Sequence, residues 1–487
     1  MAEAVAVQKQ ATPVEAQAHG ESNLPLWRWV PVLAPGLFLY FAPLPAFSSS
    51  QRHLLAIFVS TILGMVIRPI AMGVSAFVGM TLLIVTHTLS PVKALSGFSN
   101  LTVWLVFTAF LFARAVTVTR LGSRVAYLFI RRFGSSALAL GYSITASDLV
   151  LAPFVPSDTA RGGGIIYPIA RSVSHAFNSD PGPTSRKIGS FIMLVGFHST
   201  YTASAIFLTG MAANPLIADF ARKIANVDLT WGRWLLGSCV PGLVTLVLVP
   251  FLIYRLCPPE VRDTEPARAL ARQELKNLGP VARKEVILIL VMFLVMLGWI
   301  TSPWHKIPNA VVAMAGVSAI LLLGVINWED LLAEKRAWDA IIWFAPVLMM
   351  ADALQEAGVI NILSGAIFHH MHGWSWPVSM VVLAVLYLYL HYGFASMTAH
   401  ITALFPGFLA ASLAAGVPPL LAVLPLAYFS NLNAGMTHYG TGSAPVYFGD
   451  GYVTQGTWWR IGFLISAMNV CIWLVIGVAW WKLLGWW

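Results

Sequence analysis

The sequence predicts an all-α polytopic membrane protein, and three observations predict it. Hydrophobic residues make up 58% of the chain and charged residues only 10%, against about 25% charged in soluble domains. Mean hydropathy is +0.76. Apolar segments long enough to cross a ~30 Å hydrocarbon core recur from end to end. On length alone, 487 residues would make two or three soluble domains; this composition excludes them.

Residues 1–24 are polar, with Lys9 as the only Lys or Arg. They lack the charged-then-apolar order of a signal peptide and read as a disordered cytoplasmic tail. The first half, 25–256, holds apolar spans near 27–47, 53–67, 70–90, 100–118, 188–212 and 232–255. A charged loop at 257–284 separates it from the second half, 285–487, with spans near 285–303, 308–326, 338–358, 418–447 and 460–481. The expected count is about eleven transmembrane helices.

The net charge of +9 does not point to nucleic acid, because the basic residues are concentrated in loops. Five arginines fall between Arg114 and Arg132, seven Lys/Arg between Arg255 and Lys284, and none between Ala337 and Trp459. With the amino terminus inside, spans four, six and eight all end at basic segments, as the positive-inside rule requires. The tryptophan-rich end (Trp480 to Trp487) then faces outside, and the setting is a cell inner membrane. Cys239, Cys257 and Cys471 show neither paired nor metal-ligand spacing. No cofactor is expected.

Two segments are left over, 141–175 and 376–415, each an apolar–polar–apolar pattern. Span parity makes the first a re-entrant hairpin entering from inside and the second one entering from outside. Irregular backbone at membrane depth is tolerated only where protein or a water-filled cavity surrounds it.

The hairpin tips share a pattern. The first reads Ser157, Asp158, Thr159, Ala160, Arg161; the second reads Ser396, Met397, Thr398, Ala399, His400. Each precedes a helix with its own polar break, "FLTGMAANP" (Phe207 to Pro215) and "HYGTGSAP" (His438 to Pro445). The Thr-Gly pairs, Thr209-Gly210 and Thr441-Gly442, stand 52 and 45 residues after the respective serines. Ser-x-Thr-Ala alone is weak, since Ser143 begins another copy; the ordered set in two halves of opposite orientation is the inverted repeat of secondary transporters.

Broken helices present unpaired N–H groups and the positive end of the helix dipole. Ser and Thr caps with nearby glycines suit an anion. Each side chain also has a plainer reading: Ser157, Thr159, Ser396 and Thr398 as helix caps, Arg161 as a salt-bridge partner of Asp158, His400 as a core histidine, and Asp148 as a local cap or pair. An arginine at membrane depth costs at least ~2.5–3.5 kcal/mol and usually serves a pathway or partner. Asn431 and His438 line the site or bond between helices. The run His369 to His372 has metal-like spacing without carboxylate or cysteine support, and reads as an outer loop.

The chain resembles the divalent anion:sodium symporter (DASS) family, in its exchanger branch, which includes bacterial citrate/succinate and tartrate/succinate antiporters and plastid oxoglutarate/malate translocators. The resemblance runs from about residue 27 onward. It is carried by "PSDTARGGGIIYPI", "LTGMAANP", "FASMTAHITALFPGF" and "SNLNAGMTHYGTGSAPVYFGDGY". It implies a homodimer with scaffold and transport domains, the latter moving as an elevator, and exchange of di- or tricarboxylates without sodium. It also implies that Arg161 and His400 stand where the symporters hold sodium. Asp158 and Met397 replace the asparagines of the symporters' Ser-Asn-Thr tips, and Asp158 is left to pair with Arg161, meet a substrate hydroxyl or carry a coupling proton. The expected substrate-binding set is Ser157, Asp158, Thr159, Arg161, Thr209, Gly210, Ser396, Met397, Thr398, His400, Asn431, Thr441 and Gly442. A sodium- or proton-coupled symporter is the main rival. A cation/proton antiporter would need acids at both tips, and a membrane hydrolase a nucleophile–base–orienter set.

Overall fold

The computed structural model describes residues 26–261, 263–359, 362 and 374–487. The expected tail and the His369–His372 run lie outside the described residues. Short helical turns aside, the helices are α1 (Val30–Phe41), α2 (Ser49–Ile67), α3 (Met72–Val85), α4 (Leu101–Thr119), α5 (Leu121–Phe133), α6 (Ala137–Leu151), α7 (Tyr167–Ala176), α8 (Gly189–Ile206), α9 (Asn214–Ala225) and α10 (Trp231–Leu256). The second half adds α11 (Glu265–Leu278), α12 (Arg283–Ile300), α13 (Asn309–Leu322), α14 (Lys335–Glu356), α15 (Trp376–Tyr389), α16 (Met397–Ala414), α17 (Pro419–Leu432), α18 (Ala444–Gly449) and α19 (Gln455–Cys471, continued to Leu483). No strand occurs among the described residues.

Each of the eleven expected spans contains a helix. By length and composition, seven described helices are able to cross a membrane, and α15 (with the turn after it) and α16, which fill the segment expected to be the second hairpin, are two of the seven. The leading arm of the expected first hairpin, α6, has 15 residues and begins at Ala137, ahead of the expected boundary at 141. Ser147 and Asp148 do not stop this helix, because Ser147 Oγ bonds back to the Ser143 carbonyl at 2.7 Å. Past Pro156, a π-helical turn (Thr159–Ile166) carries the three glycines into α7.

The helices sort into two packing groups. One joins α1–α4 with α12–α14; the other joins α6–α10 with α15–α19. α5 and α11 are amphipathic connectors that pack on each other, pinned where Arg124 Nε meets Glu285 Oε1 at 2.6 Å and Arg124 Nη1 meets the Gly279 carbonyl at 3.0 Å. At the centre of the second group, every residue of α8 is buried. A helix covered on all sides must satisfy its own hydroxyls, and Thr200, Thr202 and Ser204 do so on the carbonyls four residues back.

Candidate functional site

The two tips close in the same way. Ser157 Oγ accepts from the Ala160 N–H at 3.2 Å and Ser396 Oγ from the Ala399 N–H at 3.4 Å. The serine carbonyls accept from the N–H of Arg161 at 2.8 Å and of His400 at 3.1 Å. Each serine thus satisfies one orphan donor of a helix start.

The helix breaks also match, in a register that differs from the sequence expectation. Met211 O accepts from Asn214 N, and Thr441 O from Ala444 N, both at 3.1 Å; Pro215 and Pro445 each follow as the second residue of the next helix. A Cβ on Gly210 would lie 2.7 Å from the Ser204 carbonyl oxygen, and one on Gly440 would lie 2.8 Å from that of Ala434. Gly210 therefore corresponds to Gly440, and Met211-Ala212 to Thr441-Gly442. The pairing of Thr209-Gly210 with Thr441-Gly442 is off by two residues. Turn geometry and the helix-starting proline set the register, and the recurrence of a Thr-Gly dipeptide does not.

Tips and breaks meet around a cavity of about 230 Å³. Its walls include Ser157, Asp158, Thr159, Ser396, Met397, Thr398, Thr441 and Gly442, together with Met211 and Ala212. The other packing group closes it with Arg68, Met72, Phe110 and Trp343. Gly442 brings the halves close together at the cavity, since a Cβ there would fall 2.4 Å from Thr159 Oγ1. Asp158, 5% exposed, accepts hydrogen bonds from Thr441 Oγ1 and, at 3.3 Å, from Ser443 Oγ. Its carboxylate ties the first tip to the second break.

Five of the expected residues do not line this cavity. Arg161 is fully buried and pairs with Asp148 at 2.9 Å, not with Asp158. Its other donors go to the carbonyls of Val155 (2.8 Å), Gly210 (3.1 Å) and Thr200 (2.8 Å) and to Ser204 Oγ (2.7 Å). The guanidinium sits behind the tip, tying it to the first break, because the chain between them folds Asp148, thirteen positions earlier, back onto it. Thr209 Oγ1 donates to the Pro153 carbonyl at 2.7 Å and accepts from Trp231 Nε1 at 3.1 Å. The Gly210 carbonyl is taken by Arg161. Asn431 donates to Asn214 Oδ1 at 2.8 Å, joining the two breaks from behind. His400 is buried against the His391 ring, centroids 5.0 Å apart, and His391 Nε2 contacts the Gly440 carbonyl at 2.8 Å, where Arg161 contacts Gly210 in the first half. His438 accepts from Trp459 Nε1 at 3.1 Å.

A family model described as "Sodium:sulfate symporter transmembrane region" matches residues 24–487. The chain belongs to that family, the divalent anion:sodium symporters. This DASS protein is 45% identical over 475 residues to the putative malate transporter YflS of Bacillus subtilis, covering 97% of this chain and 99% of the relative. It is 43% identical to the chloroplastic dicarboxylate transporter 1 of Arabidopsis thaliana over 93% of this chain and 82% of that one. It is 35% identical to the inner membrane protein YbhI of Escherichia coli over 95% and 98%. The fold is also that of the Neisseria gonorrhoeae MtrF structure, with TM-score 0.56 and 12% identity over 92% of this chain and 97% of that one. The family makes this DASS protein a membrane transporter and not an enzyme. Arg68, Met211, Ala212 and Trp343 were not among the expected site residues. For Arg68 a signal existed: an arginine in the short gap between two spans, 53–67 and 70–90, has no loop to carry it away from the membrane.

Proposed function

We propose that this DASS protein exchanges one dicarboxylate for another, independently of sodium, by moving the group α6–α10/α15–α19 past a scaffold of α1–α4/α12–α14. The observation that carries this reading is the cavity itself. Two serine-capped tips and two helix breaks converge on one small polar space, and the remaining wall is the opposite packing group. Ser157, Thr159, Ser396, Thr398 and Thr441 orient the carboxylates by hydroxyl and backbone donors, and Gly442 lets the halves close on them. Arg161 and His400 act from behind as positioning residues. The names of the YflS and chloroplast relatives support a C4-type dicarboxylate.

Exchange follows from desolvation. An empty site would carry helix-end N–H groups past apolar side chains such as Phe110 and Trp343, at several kcal/mol per unsatisfied group. A bound dianion satisfies them, so return is favoured only with another anion aboard. On the reading that the basic loops are cytoplasmic, Arg68 and the start of α14 lie at the inner face and the state is inward-facing. The amino terminus is then cytoplasmic and the carboxyl terminus external, and the scaffold helices hold a homodimer in the inner membrane.

Counterflow tests the reading. Purified protein in liposomes loaded with unlabelled malate should accumulate labelled malate or succinate in sodium-free buffer, and should take up little when the liposomes are empty. Sodium-driven uptake into empty liposomes would replace exchange with symport. Asp158 at the cavity wall favours that second reading, because a buried carboxylate is a place for a coupling cation or proton.

A further inference from the structure

Neither basic residue of the tips reaches the cavity, yet one cation does. Arg68 lines it from the scaffold side. It caps α2 in the left-handed conformation (φ 52°, ψ 53°), which turns its side chain away from the helix it ends. It is exposed, and its one side-chain hydrogen bond among the described residues is a donation to the Met72 thioether at 3.2 Å, a weak acceptor. The acid whose charge bears on it is Asp339, which lies over Gly73. No salt bridge to Arg68 occurs among the described residues. Resting on the exchange reading above, we propose that Arg68 is the docking cation for the dianion in this state, a specificity-determining residue on the scaffold and not on the moving group.

The second half carries a counterpart. Lys306 also caps a helical segment in the left-handed conformation (φ 59°, ψ 12°), three residues before α13 begins, as Arg68 stands four before α3. Only six non-glycine residues have positive φ among the described residues, and these two occupy matching joints of the scaffold. Lys306 is exposed, and although it does not itself line a cavity, Pro308 and Asn309 just after it wall a separate space of about 250 Å³ together with Leu101, Asp219, Arg222 and Asp228. Along α4, Leu101 is roughly 13 Å from Phe110 of the present site at 1.5 Å per residue. On the match between the two joints, Lys306 takes the part of Arg68 at the opposite station, reached when the loaded group has moved.

The two stations make a sided prediction. A cation fixed to the scaffold strengthens binding only on the face where the site stops beside it, whereas a cation on the moving group acts on both faces. Half-saturation for labelled malate is measured on each face, using inside-out and right-side-out vesicles with saturating malate on the other side; this constant does not depend on how much protein folds. Arg68→Gln should raise it roughly three- to tenfold at the cytoplasmic face, as loss of one partly solvated charge pair does, and leave the external value unmoved. Arg68→Lys should recover most of the loss, and Lys306→Gln should show the reverse sidedness. Equal shifts on both faces, or none in Arg68→Gln, would overturn the proposal. Wild-type protein that fails to exchange malate at all would instead bring down the exchange reading itself.

Discussion

Replacing Arg161 with methionine separates a positioning role from a substrate-contact role. The guanidinium makes five hydrogen bonds inside the protein, one of them the ion pair to Asp148. Both side chains of that pair are 0% exposed, and the second carboxylate oxygen of Asp148 has no hydrogen-bond partner among the described residues. Arg161→Met therefore leaves a buried charge with nothing to offset it and frees three carbonyls that the arginine ties together. Breaking a buried pair from one side costs about 3–5 kcal/mol. The expected result is a clear fall in thermal stability, read by melting in detergent, together with loss of counterflow. Arg161→Met with Asp148→Asn removes the charge problem and should regain a large part of the stability, the signature of two coupled residues. Counterflow should stay low in the double variant, because Val155, Thr200 and Gly210 are still not held together. A direct substrate contact would do the opposite: half-saturation would rise while melting stayed put. A single variant that melts with the wild type would refute the positioning role.

Three further outcomes are expected. Gly442→Ala should cripple exchange, since its Cβ would meet Thr159 Oγ1 at 2.4 Å, and adding Thr159→Ala should restore closure of the cavity in part, as measured by counterflow. Asp158→Asn keeps an acceptor for Thr441 and Ser443 and removes a like charge from the anion's surroundings. Sodium-free exchange should persist with half-saturation lowered roughly threefold, and loss of exchange on that change would favour a coupling role for the carboxylate. In a background lacking Cys239, Cys257 and Cys471, Ala212→Cys should react with a small thiol reagent and be protected by malate. Thr209→Cys should be inert, because the structure puts residue 212 at the cavity and packs residue 209 against Trp231.

The site was legible in part. The serine-led tips were readable because capping is local: a Ser three residues before a free N–H closes the same turn wherever it occurs, and 157–159, 396–398 and 441–442 all reach the cavity. The roles of Arg161 and His400 were not readable. Both are basic and both follow a capped tip, but whether such a side chain points forward or back is decided by what waits behind it. For Arg161 that is Asp148 and the carbonyls of Thr200 and Gly210, in and just after a helix that comes later in the chain. The register of the breaks failed for a similar reason: Thr209-Gly210 and Thr441-Gly442 are alike as letters, whereas the turn is fixed by the glycine that fits under a carbonyl.

Composition and the spacing of apolar runs by themselves determined an all-helical membrane protein, its loop charges and the place of its broken segments, since transfer of side chains and backbone into hydrocarbon depends on local content alone. Only the tertiary structure decided which charges face the cavity. A buried cation goes to whichever acceptors the packing brings near, and those lie far away in sequence; Arg161 is enclosed by them, and Arg68, with none but a thioether, is left facing the cavity.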